Sequence, residues 1–197
     1  MRTLTYRVPS VRKRRRTATL ALFAAAAVIA LPSTALAAKG SGGVGLGGTG
    51  TTPPTPGQTT AGATAKLKDG FAIAPASAPN KVRRAIDAAN QIVKGKPYCM
   101  GGGHARRRDR CYDCSGSVSY ALTGGGLLEA SMPSGSFMRW GSPGTGKWIS
   151  LYANEGHIYA VIAGLRLDTS MTDGDGPGWS TEMRSSSGYV VRHPTGF

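Results

Sequence analysis

The run Tyr112-Asp113-Cys114-Ser115-Gly116 constrains this chain more than any other stretch. Asp113 is a helix-capping residue type, and Val118, Ala121 and Leu122 follow at helical spacing. Cys114 therefore stands in the first turn of a helix, where unpaired backbone N–H groups favour negative charge. That setting lowers a thiol pKa and makes a sulfur nucleophilic. Gly156-His157 lies downstream, at the head of an apolar strand-like run, and supplies an imidazole. The pair points to cysteine–histidine chemistry.

The pattern around this motif predicts helices first and strands second. Val82, Ala85, Ile86, Ala89, Ile92 and Val93 define one face of a helix over Lys81–Lys94, with Asn80 as its cap and Gly95 as its stop. The second helix runs from Cys114 to Leu122 and ends at Gly124-Gly125-Gly126. Lys147–Tyr152 and His157–Ile162 read as a hairpin joined by Ala153–Gly156, with further strands at Leu165–Asp168 and Tyr189–Arg192. Met171–Ser187 is polar and reads as a surface loop. The expected class is α+β, helices packed on one side of a small antiparallel sheet.

The first 37 residues have the layout of a secretory signal peptide. Seven basic residues between Arg2 and Arg16 precede an apolar stretch from Ala18 to Leu31 and an Ala35-Leu36-Ala37 cleavage site. Residues 38–65 are rich in Gly, Thr and Pro and read as a disordered linker, leaving 66–197 as the folded domain. The expected destination is outside the cell, at the envelope. Cleavage lowers the formal charge from +14 to 17 basic against 10 acidic residues, or +7. A secreted protein of this charge is attracted to anionic envelope polymers. No aromatic-plus-basic RNA motif or zinc-finger spacing supports nucleic-acid binding. No stable membrane span is expected after cleavage, and a monomer is expected.

Cys99, Cys111 and Cys114 are an odd set, so in an oxidising compartment one is left over. Pairing Cys99 with Cys111 leaves Cys114 free and closes a loop of about a dozen residues, contributing on the order of 3 kcal/mol. The same cysteines permit another reading. Cys111-Tyr112-Asp113-Cys114 is a C-x-x-C pair, and with Cys99 and His104 it offers four zinc ligands or a redox couple. Against these stand the absence of a second knuckle or a βαβ context, and the fact that neither uses His157.

Three segments together resemble the NlpC-like cell-wall cysteine peptidases. Gly95–Gly103 looks like that family's glycine-rich approach, Asp113-Cys114-Ser115-Gly116 matches its nucleophile motif, and Gly156-His157-Ile158-Tyr159 is similar to its histidine strand. The resemblance spans Val82–Asp168. It implies a papain-like α+β fold and hydrolysis of amide bonds in peptidoglycan stem peptides, the favoured bond joining a γ-D-glutamyl to a diamino acid. It also implies Tyr98 beside the nucleophile, and Asp113 and Ser115 as binders of a stem peptide's free amine, although helix capping is an equal role for Asp113. The chemistry assigns Cys114 as nucleophile, His157 as general base and Asp168 as the group that orients the imidazole, with the Cys114 N–H as an oxyanion donor. An aspartate at this third position departs from the commoner histidine or amide of the family. No metal or cofactor is expected in this reading. Arg106, Arg107, Arg108 and Arg110 read as a solvated basic loop, or as contacts to substrate carboxylates. His104 and His193 are read as loop residues without a catalytic part. The competing functional readings are a non-catalytic envelope-binding module on the same scaffold, and a cysteine amidase or acyltransferase.

Overall fold

The computed structural model describes residues 52–170 and 176–197. The expected leader over 1–37, the first part of the linker and residues 171–175 of the expected polar loop lie outside these residues. The described part of the linker carries structure. Thr59–Thr60 forms strand β1, and Ala65 is buried with its N–H donating to Ala163 O at 2.7 Å. Threonine suits an extended backbone, and the backbone groups here find partners instead of water. The Asp87 carboxylate also accepts from Gly57 N at 3.0 Å. The folded region therefore reaches at least to β1, upstream of the boundary read at residue 66.

Strands β2 (Lys66–Lys68) and β3 (Phe71–Pro75) complete a three-stranded sheet of order β1-β3-β2. The sheet runs parallel at β1 and antiparallel at β2. Helix α1 follows at Asn80–Asn90. Its expected apolar face is fully buried at Val82, Ala85, Ile86 and Ala89. The helix is shorter than the pattern predicted. Ile92 and Val93 are buried from a succession of turns, and Lys94 takes a positive φ of 60°. Pro79, not Asn80, occupies the cap position, and the Asn80 side chain instead accepts a hydrogen bond from Arg83. Proline ahead of the helix has the fixed φ that starts it, so no side-chain cap is made.

Helix α2 (Cys114–Gly124) packs against α1 and against strands of the second sheet. Nearly all of it is buried, and most of its residues are small. It continues two residues beyond the predicted Leu122 because Gly124 lies against α1. A Cβ at Gly124 would stand 2.2 Å from the Ala88 Cβ, so only glycine permits this approach. A short α3 (Ser134–Phe137) leads to the second sheet.

That sheet contains β4 (Ser142–Pro143), β5 (Ile149–Ala153), β6 (Ile158–Ile162), β7 (Leu165–Asp168), β8 (Gly178–Ser180) and β9 (Val190–His193). Its order is β4-β9-β5-β6-β7-β8, with antiparallel neighbours throughout. The third strand lies where it was predicted, while the hairpin strands start later, at Ile149 and Ile158, and Ala153, read as turn, ends β5. The fourth strand is displaced by one residue, and β8 lies inside the segment expected to be loop. Its only large apolar residue is Trp179, too weak a signal for periodicity. Ile149, Leu151, Ile158, Ala160, Ile162 and Leu167 are all fully buried and form the core under the helices. The class is α+β, as expected.

Asn90 joins the two halves of the domain. Its Oδ1 accepts from Ala72 N at 3.1 Å and Trp179 Nε1 at 3.0 Å, and its Nδ2 donates to Ala72 O at 2.8 Å. It is 2% exposed, so the three groups have no water to replace it. Asn90→Ala is expected to cost about 2–4 kcal/mol, by leaving buried donors and an acceptor unpaired. Urea denaturation measures this as a lowered midpoint at unchanged slope.

Candidate active site

Cys114 is the first residue of α2, and Asp113 is its cap. The Asp113 Oδ1 accepts from Gly116 N at 2.7 Å, Ser115 Oγ at 3.1 Å and His104 Nε2 at 3.0 Å. Its Oδ2 accepts from Gly101 N at 2.9 Å. Four donors thus surround the carboxylate, which fits the helix-capping role. Ser115 is 5% exposed, and its hydroxyl also meets His104 Nε2 at 3.1 Å. Both residues help to hold the helix start and the glycine-rich approach.

Gly116 allows that approach to close. A Cβ there would stand 2.0 Å from Gly102 O, whose carbonyl accepts from Asp113 N at 3.1 Å. His104, read from sequence as a plain loop residue, ties three segments together, since its Nδ1 meets Ser131 Oγ at 3.0 Å. Cys99 and Cys111 form a disulfide with a Cα–Cα distance of 5.6 Å, and Cys114 is the free cysteine. The bridge occupies two of the four ligands that the zinc reading needs. It also takes Cys111 away from the C-x-x-C redox pair.

Two elements deliver the remaining groups to Cys114. Asn154 Oδ1 accepts from Gly156 N at 3.0 Å and His157 N at 2.8 Å, which fixes the turn before β6. The His157 ring and the Ile158 N–H lie close enough to the Cys114 sulfur to lower its pKa. His157 Nε2 lies 2.9 Å from Asp168 Oδ1. Ala160 pairs with Leu167 across β6 and β7, and the same register carried one residue further sets Asp168 opposite Tyr159. Asp168 and His157 are then diagonal neighbours on one face of the sheet. Ser170 Oγ is 3.4 Å from His157 Nε2.

Asp168 is fully buried at its side chain and is surrounded by donors. Oδ1 accepts from Ser170 N at 3.0 Å, and Oδ2 accepts from Arg184 Nη1 at 3.1 Å, with Arg166 Nε at 3.5 Å. Arg184 also lies over the Tyr159 and Tyr189 rings at 5.4 and 5.6 Å. Tyr159 stacks on Tyr152 at 4.7 Å, and Tyr189 meets it edge-on at 5.3 Å. Neither Arg184 nor Tyr189 was legible as part of the site, because both come from the Gly/Ser-rich stretch after β8. Tyr98, 40% exposed, bridges to Tyr112. Burial pushes its phenol up, and the negative charges of Cys114 and Asp113 add to this, so Tyr98 lies within their field.

The electrostatics of the row favour an ion pair. Burial pushes the Cys114 thiol up, but the His157 hydrogen bond, the Ile158 N–H and the imidazolium charge outweigh it, and the net direction is down. Burial pushes His157 down, but hydrogen bonds to Asp168 and Cys114 and their charges reverse this, raising it to about 9. Burial favours a neutral Asp168, yet the bonds to His157, Ser170 N and Arg184 hold it at about 2. The two directions, thiol down and imidazole up, are those that favour a thiolate–imidazolium pair.

No protein-family model and no curated protein matches the chain. Solved structures do. The P60 domain of an antigen from M. avium subspecies paratuberculosis is 20% identical, covers 57% of this chain and 93% of that one, and has a TM-score of 0.43. The peptidoglycan hydrolase RipB from Mycobacterium tuberculosis is 24% identical over 57% of this chain, with a TM-score of 0.44. The resuscitation-promoting-factor-interacting protein RipA is 22% identical over 59% of this chain, with a TM-score of 0.43. The match spans 64% of the RipB chain and 65% of the RipA chain, less than two thirds of each.

His157 gains its high pKa on folding, from an ordinary 6.5 to about 9. Its contribution to stability is therefore complete below pH 6.5 and is lost as pH rises through 9. Asp168 moves the other way, and its contribution is complete above 3.8 and is lost as pH falls through about 2. His157→Ala is expected to flatten the alkaline loss of stability and to raise the pH at which iodoacetamide alkylates Cys114. Denaturation and alkylation rates across pH test both. The solved structures that this chain is similar to thus include a P60 domain and a peptidoglycan hydrolase.

Proposed function

We propose that this chain is a secreted cysteine peptidase of the NlpC-like group that hydrolyses an amide bond in peptidoglycan stem peptides. The observation that carries the proposal is the His157–Asp168 hydrogen bond beside a Cys114 sulfur that His157 stabilises at a helix start. His157 Nε2 is committed to Asp168, which leaves Nδ1 as the nitrogen for the thiol. The ring is thus held in the tautomer and orientation that proton transfer needs.

In the reaction, the Cys114 thiolate attacks the amide carbon and forms a C–S bond. The carbonyl oxygen becomes an oxyanion, and the Cys114 N–H at the helix N-terminus is placed to stabilise it. Protonated His157 gives its proton to the leaving amine as the C–N bond breaks, and a thioester remains. Water then attacks the thioester while His157 takes its proton. The C–S bond breaks, the carboxylic acid leaves, and the thiolate–imidazolium pair is restored. Tyr98, exposed and within the field of Cys114, is the residue proposed to contact substrate. The γ-D-glutamyl to diamino-acid bond is the target that the family resemblance implies.

The test is cleavage of purified stem peptide followed by mass spectrometry. Cys114→Ala and His157→Ala are expected to abolish cleavage while near-ultraviolet circular dichroism is retained. Asp168→Asn is expected to lower kcat on the order of 10³–10⁴-fold, through loss of imidazole orientation. Arg184→Gln is expected to lower it less, since Arg166 and Ser170 still hold the carboxylate. Cleavage by a folded Cys114→Ala protein excludes the mechanism. The rate is also expected to fall as pH rises through about 9, where His157 loses the proton that the leaving amine needs.

A further inference from the structure

The disulfide-closed loop from Cys99 to Cys111 carries four arginines against one aspartate, a net charge of +3 in a protein whose charge after leader removal is +7. Arg106, Arg107, Arg108 and Arg110 are all exposed. Among the described residues none of the four forms a salt bridge within 4.0 Å. The neighbouring acid does not neutralise them at close range. The Asp109 carboxylate instead accepts from two backbone groups, Gly103 N at 3.2 Å and Arg110 N at 2.7 Å.

The backbone beneath the arginines is pinned at several points. Tyr112 OH donates to Arg107 O at 2.9 Å and accepts from Asp109 N at 2.9 Å. Tyr112 N donates to Pro97 O at 3.0 Å, and the disulfide closes the root of the loop. An arginine-rich loop left to itself would be spread over many conformations by chain entropy and mutual repulsion. Here tyrosine, aspartate and the bridge hold like charges together, an arrangement that costs free energy in the unliganded protein. Arg106, Arg108, Asp109 and Arg110 border a concavity of about 370 Å³.

We propose that this loop is a docking surface for a linear envelope polymer bearing repeated phosphodiester groups. Guanidinium groups match phosphate oxygens with paired N–H donors, where lysine would offer only a point charge. Several such groups on a pinned backbone bind successive anions with little further ordering. The loop ends three residues before Cys114, so a polymer held there is anchored through the disulfide-closed root of α2. The surface binds whether or not Cys114 is a nucleophile.

Beads carrying synthetic poly(glycerol phosphate), beads carrying polygalacturonate, and single-stranded DNA provide the test, each at several salt concentrations with the purified full protein. R106Q/R107Q/R108Q/R110Q is compared with K66Q/K68Q/K81Q/K147Q, which removes equal charge elsewhere. Circular dichroism and Cys114 alkylation check that each variant is folded. At low salt the arginine variant is expected to lose affinity for poly(glycerol phosphate) at least about tenfold, with a shallower salt dependence, while the lysine variant changes less than about threefold. Tighter wild-type binding to poly(glycerol phosphate) than to polygalacturonate or DNA supports the assignment. Retained binding by the arginine variant, an equal loss in the lysine variant, or tighter binding to polygalacturonate or to DNA overturns it.

Discussion

The Asp113 carboxylate is the constraint on which the site is built. It gathers donors from the glycine-rich approach, from its own helix and from His104, and so joins three stretches of backbone at one buried point. The helix that begins there fixes the Cys114 sulfur relative to the disulfide loop on one side. The packing of α2 against β6 and β7 fixes it relative to the second sheet on the other. A nucleophile needs its partner groups held to fractions of an ångström, and a cap satisfied from three directions is a rigid way to supply that.

The sheet supplies the rest of the geometry through register. His157 precedes β6 and Asp168 ends β7, and antiparallel pairing makes them neighbours without any long connection. Charge then locks what register arranges. Arg184 and Arg166 sit at one oxygen of Asp168 while His157 and the Ser170 N–H sit at the other. Stacking of Arg184 over two tyrosines keeps the guanidinium in place at modest cost, because its planar face is satisfied by the rings.

Local chemistry was readable in the sequence, and remote chemistry was not. The Asp113-Cys114-Ser115-Gly116 start of α2, the apolar faces of both helices and the strand at Leu165–Asp168 each arise from neighbouring residues, so spacing revealed them. The pairing of Cys99 with Cys111 was readable too, because so few arrangements exist for three sulfurs. By contrast, Thr59–Thr60 becomes a strand only because β3 offers an edge, and its Gly/Thr/Pro surroundings read as linker. His104 and Arg184 have no local pattern at all, since each is defined by partners far along the chain. The same limit applied to Asp113 and Ser115. Their residue types suit a ligand contact or a cap, and their bonds to His104 and Gly101 follow no local pattern.

The bridge beside the sulfur has a bearing on how the chain matures. Three thiols lie within one short stretch, and they can join in three ways, two of which consume Cys114. Once α2 has formed, its first turn buries that sulfur and presents it to His157 instead of to Cys99 or Cys111. Oxidation after helix formation spares Cys114, whereas oxidation of the unfolded chain distributes it among mispaired products. The order of folding and oxidation therefore decides what fraction of molecules keeps this sulfur free.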